Sequence, residues 1–313
     1  MRILLTAIVT TLALVAPGSA QEVSVDTLVT LLEGPTFDRD GSLYFTDVLS
    51  QRILKKTAAG KLSVYRENSN LANGLVIDPQ NRLIAAEGAH SATGERQGFT
   101  FTGIPRVTRT DLRTGQIEVI ADSYMGKPLV GPNDVTLDGQ GRVYFTDFNS
   151  GAVYRVDAPK QLTRVVAAPD VQRPNGLMIS PDDRTLYVIE ANGAKDGARM
   201  IRAFDLQPDG AARNMRVLYN FYPGRSADGM SVDVAGNLYA AAGMHTTRNT
   251  SETLDTKCGV YVISPQGKLL KFIPIPEDYI TNTTFGGPDM KTLYVTAGKT
   301  IYTFRTDIAG LPR

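Results

Sequence analysis

Phe37-Asp38-Arg39-Asp40-Gly41-Ser42-Leu43-Tyr44-Phe45-Thr46-Asp47 recurs later in the chain as Leu137-Asp138-Gly139-Gln140-Gly141-Arg142-Val143-Tyr144-Phe145-Thr146-Asp147. In both copies an apolar residue and an aspartate precede a glycine-containing turn, and a β-rich run follows. Turns of this kind between runs of alternating apolar residues indicate a β-hairpin. Each copy therefore predicts two tightly joined strands.

Four further segments follow the same pattern. They are Ile77 to Glu87, Ile179 to Glu190, Val232 to Ala242 and Phe285 to Thr296. The markers of the second strand, at positions 44, 84, 144, 187, 239 and 294, are 40, 60, 43, 52 and 55 residues apart. More β-like sequence follows each pair, and repeats of about four strands at this period are typical of propeller blades. The sequence predicts an all-β fold, a six-bladed β-propeller with four-stranded blades, in which Val23 to Leu32 supplies the strand that closes the last blade onto the first.

A polar residue precedes the first strand of each repeat. Singly, Asn-Gly and Asp-Gly pairs fit ordinary turns, but the hairpin has its own Gly or Pro later. The distance from the polar residue to the strand marker is eleven residues in the first, second, third and fifth repeats and twelve residues in the fourth repeat. Because innermost strands line a propeller axis, this common position predicts a ring of oxygen donors at the mouth of a central channel. The ring residues are Glu33, Asn73, Asn133, Asn175, Asp228 and, less regularly spaced, Asn282.

The composition of this ring predicts a central metal site. Glu33, Asn133, Asn175 and Asp228 would supply two carboxylates and two amide oxygens. Hard oxygen donors of this kind favour Ca²⁺, which takes about 6 to 8 of them including waters. The chain has two His and one Cys, so a zinc site built from softer ligands is disfavoured. Mg²⁺, Mn²⁺ and Zn²⁺ nevertheless stay open as alternatives.

Charge and composition limit the partners. The 33 Lys and Arg residues nearly balance the 32 Asp and Glu residues, for a net charge of +1. A near-neutral chain carries no electrostatic footprint for nucleic acid or an anionic membrane. We expect a small-molecule substrate and a monomer or weak oligomer. The single Cys258 excludes an intrachain disulfide and is expected to be a buried apolar residue rather than a nucleophile.

The N-terminus has the pattern of a secretory signal. Met1-Arg2 precedes the apolar run Ile3 to Val15, and small residues at Gly18 and Ala20 precede a cleavage site before Gln21. An uncleaved anchor is the alternative, but the run is shorter than the ~20 apolar residues that a membrane span needs. The sequence predicts a signal peptide over residues 1–20, a single propeller domain over residues 21–313, and a periplasmic or secreted protein.

Several short motifs occur along the chain in a fixed order. They are Glu33-Gly34-Pro35, the stretch Gly126 to Val135 continued by Gly141 to Asp147, Pro174-Asn175-Gly176, Asp228-Gly229 and Phe285-Gly286-Gly287-Pro288-Asp289. In order and spacing they resemble the SMP-30/gluconolactonase family over essentially the whole mature chain. The resemblance implies a six-bladed propeller with one divalent cation at the axis and lactone hydrolysis, with relatives that cleave phosphorus esters and fluorides.

The resemblance also implies roles for individual residues. Glu33, Asn175 and Asp228 would be metal ligands, and Asn133 would be either a fourth ligand or a substrate-binding amide. Asp228 would also be the catalytic base. Gly131 stands where some family members have an Arg that binds a sugar hydroxyl or carboxylate, so the chain departs from the pattern for the usual sugar-acid lactone.

Other residues are weaker candidates for substrate contact. Asn73 and Asn282 are expected nearer to the substrate or an ordered water than to the ion. His90 and His245 follow inner hairpins, and either would act as an acid or base if its loop reached the mouth. Asp147 ends a strand that borders the pocket in relatives. Three tyrosines are further candidates for the pocket wall, namely Tyr124, Tyr222 and Tyr279.

These observations predict an exported, metal-dependent hydrolase that opens a sugar lactone or similar cyclic ester. A central divalent cation would polarise the carbonyl as a Lewis acid, and Asp228 would act as base or nucleophile. Two alternatives stay open. One is a phosphotriesterase or arylesterase at the same site, and the other is a non-catalytic, metal-stabilised propeller that binds a ligand or a protein.

Overall fold

The computed structural model describes residues 24–88, 95–96, 99–100 and 103–312. All regular elements in these residues are β-strands, and six four-stranded antiparallel sheets succeed one another along the chain. The innermost strand of each sheet contacts that of the next, and the sixth contacts the first. The predicted six-bladed propeller is therefore confirmed. The predicted signal peptide and His90 lie outside the described residues.

The first three blades follow β1 (Ser24–Leu28) in the chain. From the axis outward, the first contains β2 (Leu32–Phe37), β3 (Leu43–Asp47), β4 (Arg52–Lys56) and β5 (Leu62–Arg66). The second contains β6 (Ala72–Ile77), β7 (Arg82–Glu87), β10 (Arg106–Asp111) and β11 (Ile117–Ala121), with the short pair β8 (Glu95–Arg96) and β9 (Phe99–Thr100) inserted. A second short pair, β12 (Ser123–Tyr124) and β13 (Lys127–Pro128), precedes the third blade, which contains β14 (Pro132–Leu137), β15 (Val143–Asp147), β16 (Ala152–Ala158) and β17 (Gln161–Ala167).

In the last three blades, consecutive strands again follow one another from the axis outward. The fourth contains β18 (Pro174–Ile179), β19 (Thr185–Ala191), β20 (Arg199–Leu206) and β21 (Ala212–Asn220). The fifth contains β22 (Ala227–Val232), β23 (Leu238–Ala242), β24 (Gly259–Ile263) and β25 (Leu269–Pro274). The sixth contains β26 (Ile280–Gly286), β27 (Thr292–Ala297) and β28 (Thr300–Arg305), and its outermost strand is β1.

The closing strand therefore comes from the other end of the chain. Ser24 pairs with Thr303 and Val25 with Tyr302 in antiparallel register. The predicted closure by the segment from Val23 to Leu32 is confirmed for β1. Because β1 covers the outer side of β28, the sixth blade has the same number of strands as the others.

The repeated Asp-to-Gly turn is explained by its hydrogen bonds. In the third blade, Asp138 accepts the backbone N–H groups of Gln140 at 3.0 Å and Arg142 at 2.9 Å, and Gly141 has a φ of 76°. A left-handed residue is needed there, which glycine supplies without strain. The turn lies at the end of the hairpin away from the ring residues.

The core lies between adjacent blades. Ile84 of the second blade, for example, packs in one cluster with Val135 and Phe145 of the third. Every residue of β3 and of β15 is buried, because neighbouring blades cover both faces of these strands. This packing fixes the innermost strands around the axis and so fixes the direction of their first side chains. No helix in the described part of the chain is long and apolar enough to cross a membrane.

Candidate active site

A β-bulge lies near the start of every innermost strand. In β14, Pro132 pairs with Asp147 and Val135 with Phe145, so two residues of β14 lie opposite one residue of β15. The register shifts at the corresponding place in the other five blades. A bulge re-aims the side chains at a strand end. The first residue after each strand start forms a ring: Glu33, Asn73, Asn133, Asn175, Asp228 and Thr281.

These six residues line one cavity at the mouth of the channel. Its volume is about 440 Å³, which lies within the range of small-molecule sites. Its walls also include Phe148, Arg225, Arg248 and Tyr279. The structure thus brings together the predicted ligands and Asn73, and it brings Tyr279 but neither Tyr124 nor Tyr222 to the wall of this cavity.

The sixth blade differs from the prediction. Thr281, and not Asn282, takes the ring position, because Ile280 pairs with Ala297 and Asn282 with Thr296. Asn282 lies one residue deeper, where its Nδ2 donates to Glu33 at 3.3 Å and to Asp134 at 3.2 Å. It lines the opposite end of the channel rather than the mouth. The expectation that Asn282 takes the sixth ring position is therefore corrected.

A second tier of residues forms the floor below the ring. Four of its six members are glycines, which leave room for the side chains of Asp134 and Asn282. A Cβ atom on Gly74 would lie 2.2 Å from Oδ1 of Asp134, and one on Gly229 would lie 2.1 Å from Cγ of Asn282. The close approach of these side chains therefore requires glycine at both positions. The tier comprises Gly34, Gly74, Asp134, Gly176, Gly229 and Asn282.

Three carboxylates converge on this part of the axis. Burial raises the pKa of Glu33 well above its ordinary value, and the charges of Asp228 and then Asp134 raise it further. Burial, together with the charge of Asp228, also raises the pKa of Asp134 to about 7. Buried negative charges that repel each other are stabilised by a nearby cation. The electrostatics therefore fit a positive ion at the ring.

The donor set agrees with a hard divalent cation. In the described residues no three or more His, Cys, Asp and Glu side chains form a metal-binding group by themselves, so an ion at the ring would also need amide oxygens. Glu33, Asp228, Asn133 and Asn175 offer that combination at one cavity. Nδ2 of Asn175 faces Oδ1 of Asp228 at 2.7 Å, and a half-turn of the amide presents its oxygen instead. Oxygen donors of this kind suit Ca²⁺ or Mg²⁺.

Asp228 is held from two sides. Its Oδ1 accepts the amide of Asn175, and its Oδ2 is paired with the guanidinium of Arg225. Arg225 is itself fixed by the carbonyl oxygens of Gly243 and Ile280, both at 3.1 Å. The carboxylate keeps a side-chain exposure of 17%, so it is oriented by neighbours but remains accessible from the mouth.

Asp147 does not reach the cavity. It is fully buried, and its carboxylate accepts the backbone N–H groups of Val130 and Gly131, both at 2.8 Å. Glu190 has the same position in the fourth blade and accepts the N–H groups of Gln172 and Arg173 at 2.8 and 2.6 Å. These carboxylates hold the loops that lead to the ring residues, so the structure gives Asp147 a supporting position rather than a substrate contact.

His245 also lies outside the mouth cavity. Its Nε2 contacts the carbonyl oxygen of Ile275 at 2.7 Å. Sequence reasoning missed four residues near the ring: Asp134, Arg225, Arg248 and Thr281. The adjacency of Asp134 to Asn133 was a usable signal, since a bulge presents both residues to the axis. Arg225 and Arg248 lie outside the repeat pattern, so the repeat could not identify them.

Comparisons with known proteins agree with this geometry. A model of the "SMP-30/Gluconolactonase/LRE-like region" matches residues 31–299. The gluconolactonase of Zymomonas mobilis is 26% identical over an alignment of 315 positions, which spans 89% of this chain and 79% of that protein. The 6-deoxy-6-sulfogluconolactonase of Pseudomonas putida is 30% identical over 194 residues, or 59% and 60% of the two chains. The solved gluconolactonase XC5397 of Xanthomonas campestris superposes with a TM-score of 0.72 and 27% identity, covering 90% of this chain and 89% of that one.

Proposed function

This chain belongs to the SMP-30/gluconolactonase/LRE-like family, and on that premise we propose that it is a cation-dependent hydrolase that opens a lactone. The single observation that carries the proposal is the mouth cavity, in which Glu33, Asp228 and the amides of Asn133 and Asn175 meet at one end of the axis. Relatives named as gluconolactonase and pentonolactonase support the reaction class.

Glu33, Asn175 and Asp228 would hold the cation, with Asn133 as a fourth ligand or a substrate amide. Ca²⁺ is the proposed ion because the donors are carboxylate and amide oxygens. When bound, the cation would polarise the lactone carbonyl and offset the negative charge that grows on its oxygen.

Asp228 has the position of a general base. Its carboxylate is paired with Arg225 and remains accessible from the mouth cavity. It would take a proton from the attacking water while the water oxygen bonds to the carbonyl carbon. The ring C–O bond then breaks, and the proton passes to the departing ring oxygen. The product is the open hydroxy acid, so the proton and electron pairs balance without a further reactant.

The remaining ring residues would orient the substrate. Asn73 and Asn133 line the same cavity and offer both donors and acceptors to hydroxyl groups. Thr281 bonds to the carbonyl oxygen of Leu32 at 2.7 Å, which ties the sixth blade to the first beside Glu33. The ring is therefore closed by a direct contact where the two ends of the propeller meet.

The test is a substrate panel on chelator-treated protein. Aldonolactones, aryl esters and phosphotriesters would be assayed while Ca²⁺, Mg²⁺, Mn²⁺ and Zn²⁺ are titrated separately. We expect lactone opening, measured as the release of acid, to appear with the cation and to disappear with chelator. Turnover of phosphotriesters but not lactones would instead favour the esterase alternative. A cation that raises the melting temperature without turnover of any substrate would contradict the proposal and favour a binding propeller.

We also propose that the chain is exported with residues 1–20 as a cleaved signal peptide. The basis is the sequence alone: a charged start, an apolar run, and small residues before Gln21. N-terminal sequencing of the protein recovered from a producing cell would test this. A mature N-terminus at Gln21 supports export, and an intact Met1 in the cytoplasmic fraction would refute it.

A further inference from the structure

A side cavity adjoins the mouth of the channel. Its volume is about 600 Å³, and it shares Asn175, Asp228, Phe148 and two arginines with the mouth cavity. Its outer walls are the loops at 191–195 and 248–252. A substrate whose reacting carbonyl lies at Asp228 would therefore have room for a substituent in this side cavity.

Basic residues outnumber acidic residues on its walls. Two carboxylates, those of Asp228 and Glu252, face four basic residues: Arg173, Lys195, Arg225 and Arg248. Arg225 is paired with Asp228, and Oε2 of Glu252 accepts the hydroxyl of Thr250 at 2.9 Å. The whole chain carries a net charge of only +1, so this local excess of positive charge is a property of the cavity and not of the protein as a whole.

Arg248 has hydrogen-bond donors to spare. Its Nε and Nη2 atoms are buried without a hydrogen-bond partner among the described residues. The nearest carboxylate, Asp278, lies 3.9 Å away and already accepts the backbone N–H groups of Thr246 at 2.8 Å and Tyr279 at 3.0 Å. Leaving buried donors unpaired costs free energy. A ligand that accepts from this guanidinium would remove that cost.

Aromatic rings hold two guanidinium groups at the cavity. The Arg248 guanidinium lies 4.0 Å from the centroid of the Tyr279 ring, and that of Arg173 lies 4.3 Å from the centroid of Phe148. Stacking of this kind fixes the plane of the guanidinium and leaves its edge free to donate. A planar, bidentate anion acceptor matches such an edge.

The loop walls are fixed in advance. Arg199 is almost fully buried and donates to the carbonyl oxygens of Ala194 at 2.9 Å and Pro223 at 2.7 Å, and to Oγ of Ser251 at 2.5 Å. Ser251 in turn donates its backbone N–H to Gly193 at 3.1 Å. The two loops are therefore joined by hydrogen bonds before any ligand arrives, which lowers the cost of ordering them on binding.

We propose that the side cavity is a subsite for an anionic substituent of the substrate, bound by Arg248 together with Arg173 and Lys195. The inference rests on the proposed lactone hydrolysis and narrows its substrate class to lactones that carry a carboxylate, sulfonate or phosphate group away from the reacting carbonyl. Arg248 and Arg173 thereby determine specificity, while the reaction itself takes place at the ring.

The experiment compares matched substrates at low ionic strength. A neutral aldonolactone is assayed beside the same ring bearing a terminal carboxylate, a sulfonate or a phosphate, each with the cation in excess. The measured quantity is kcat/KM for each anionic lactone divided by that for the neutral one. We expect Arg248→Gln to lower this ratio by about tenfold or more, as loss of a charge-assisted hydrogen bond does, and Arg248→Lys to restore part of it.

Arg113→Gln is the matched control, because Arg113 is 85% exposed in its side chain and lies on neither cavity. It should leave the ratio unchanged. In the unsubstituted protein the ratio should also fall as NaCl is added, because salt screens the attraction. The three anionic lactones show which group fits, and a preference for any of them supports the subsite. Equal kcat/KM for neutral and anionic lactones, unaltered by Arg248→Gln, would overturn it while leaving lactone hydrolysis intact.

A binding measurement separates the two proposals. Calorimetric titration with the ring-opened anionic hydroxy acids does not depend on turnover. If no lactone is hydrolysed but these acids bind the unsubstituted protein and bind Arg248→Gln at least tenfold more weakly, the reaction is wrong and the anion subsite stands. If they bind both proteins equally, the subsite is wrong. Circular dichroism and melting of each variant would confirm that the comparison is made between folded proteins.

Discussion

Arg52 lies directly across the strand pair from Asp47 and donates a hydrogen bond to its carboxylate. Asp147 has the same position in the near-copy of this segment, but the residue across from it is Ala152. Both carboxylates are fully buried. Burial opposes ionisation of Asp47, but hydrogen bonds from Thr30 and Arg52 outweigh it and lower its pKa. Burial dominates at Asp147 and raises its pKa despite the N–H groups it accepts.

The two aspartates should therefore respond to pH in opposite directions. Asp47 contributes stability that is fully present above its unfolded pKa of about 3.8 and is lost as pH falls through the lower folded value. The contribution of Asp147 is fully present below that unfolded value and is lost as pH rises through the higher folded value. Urea unfolding between pH 3 and 7 should show the cost of Asp47→Asn, about 1–3 kcal/mol at neutral pH, shrinking toward acid. The cost of Asp147→Asn should shrink toward neutral pH. Slopes of the same sign for both variants would contradict this explanation.

The near-copies show how far sequence comparison reaches. Eleven aligned residues predicted the hairpins, and six such segments predicted the number of blades. Those patterns are read from local chemistry, namely turn glycines and alternating apolar residues. The difference between Asp47 and Asp147 depends on the cross-strand neighbour, which lies outside the repeated segment. Equivalent residues of a repeat therefore need not have equivalent electrostatics.

Gly229→Ala should disturb the floor of the site. The added Cβ would overlap the amide of Asn282, which also bonds to Glu33 and Asp134. Forcing extra volume into a packed site costs about 1–3 kcal/mol, so we expect a lower melting temperature and weaker cation binding. Gly193→Ala is the control, since its nearest neighbour would lie at 3.5 Å and its backbone requires no positive φ. Equal melting temperatures for the two variants would argue against close packing of this floor.

Removal of the proposed cation should destabilise the protein. A ligand that binds the folded state alone adds about 2.7 kcal/mol when present at one hundred times its Kd. Differential scanning fluorimetry with Ca²⁺ and then with chelator should show a reversible fall in melting temperature. Glu33→Gln should reduce the shift, because it removes one of the buried charges that face the ion. Glu67→Gln is the control, because Glu67 is exposed, and it should leave the shift unchanged. A full Ca²⁺ shift in Glu33→Gln would exclude Glu33 as a ligand.

Asp228→Asn should lower kcat for lactone opening by about 10² to 10⁴-fold, the usual contribution of general base catalysis. The amide keeps the size of the side chain but does not accept a proton. Assays need enough cation to saturate the variant, and calorimetry of cation binding shows whether saturation is reached. Undiminished turnover under saturation would remove Asp228 from the mechanism.

Cys258 should resist alkylation in the folded protein. It is buried, its Sγ donates to the carbonyl oxygen of Glu277 at 3.3 Å, and burial raises its pKa to about 11. The thiolate is the reactive form, so iodoacetamide at pH 8 should label the native chain far more slowly than the urea-unfolded chain. Mass spectrometry after timed quenching measures both rates. Comparable rates would show that the thiol is accessible.

The candidate site was predicted in part from the sequence. Five ring residues were found because they keep a nearly constant distance from the second strand. The sixth was displaced by one residue because turn lengths vary: Phe37 pairs with Leu43, Ile179 with Leu186, and Phe285 with Leu293. The turn after Ile179 is one residue longer than the turn after Phe37, and the turn after Phe285 is one residue longer again. Counting back from the strand marker therefore no longer identifies the bulge in the sixth blade.

The arginines near the ring could not be predicted in this way. Arg225 reaches Asp228 because it precedes β22 by two residues, and Arg248 belongs to the loop between β23 and β24. Neither follows the repeat. Arg248 packs against Tyr279, and Arg225 is held by the carbonyl oxygens of Gly243 and Ile280. On the proposed function, such loop residues would set substrate preference, whereas the repeat determines the frame that carries them.

The pairing of β1 with β28 has a consequence for how the chain reaches its native state. Five blades consist of residues close together in sequence, so each is able to form soon after its own residues are available. The sixth requires Ser24 to meet Thr303, and contacts between such distant residues form slowly. Until they form, β28 presents an open edge that is able to pair with another chain. The late step in folding, and the stage most vulnerable to aggregation, is therefore expected to be the joining of the two chain ends.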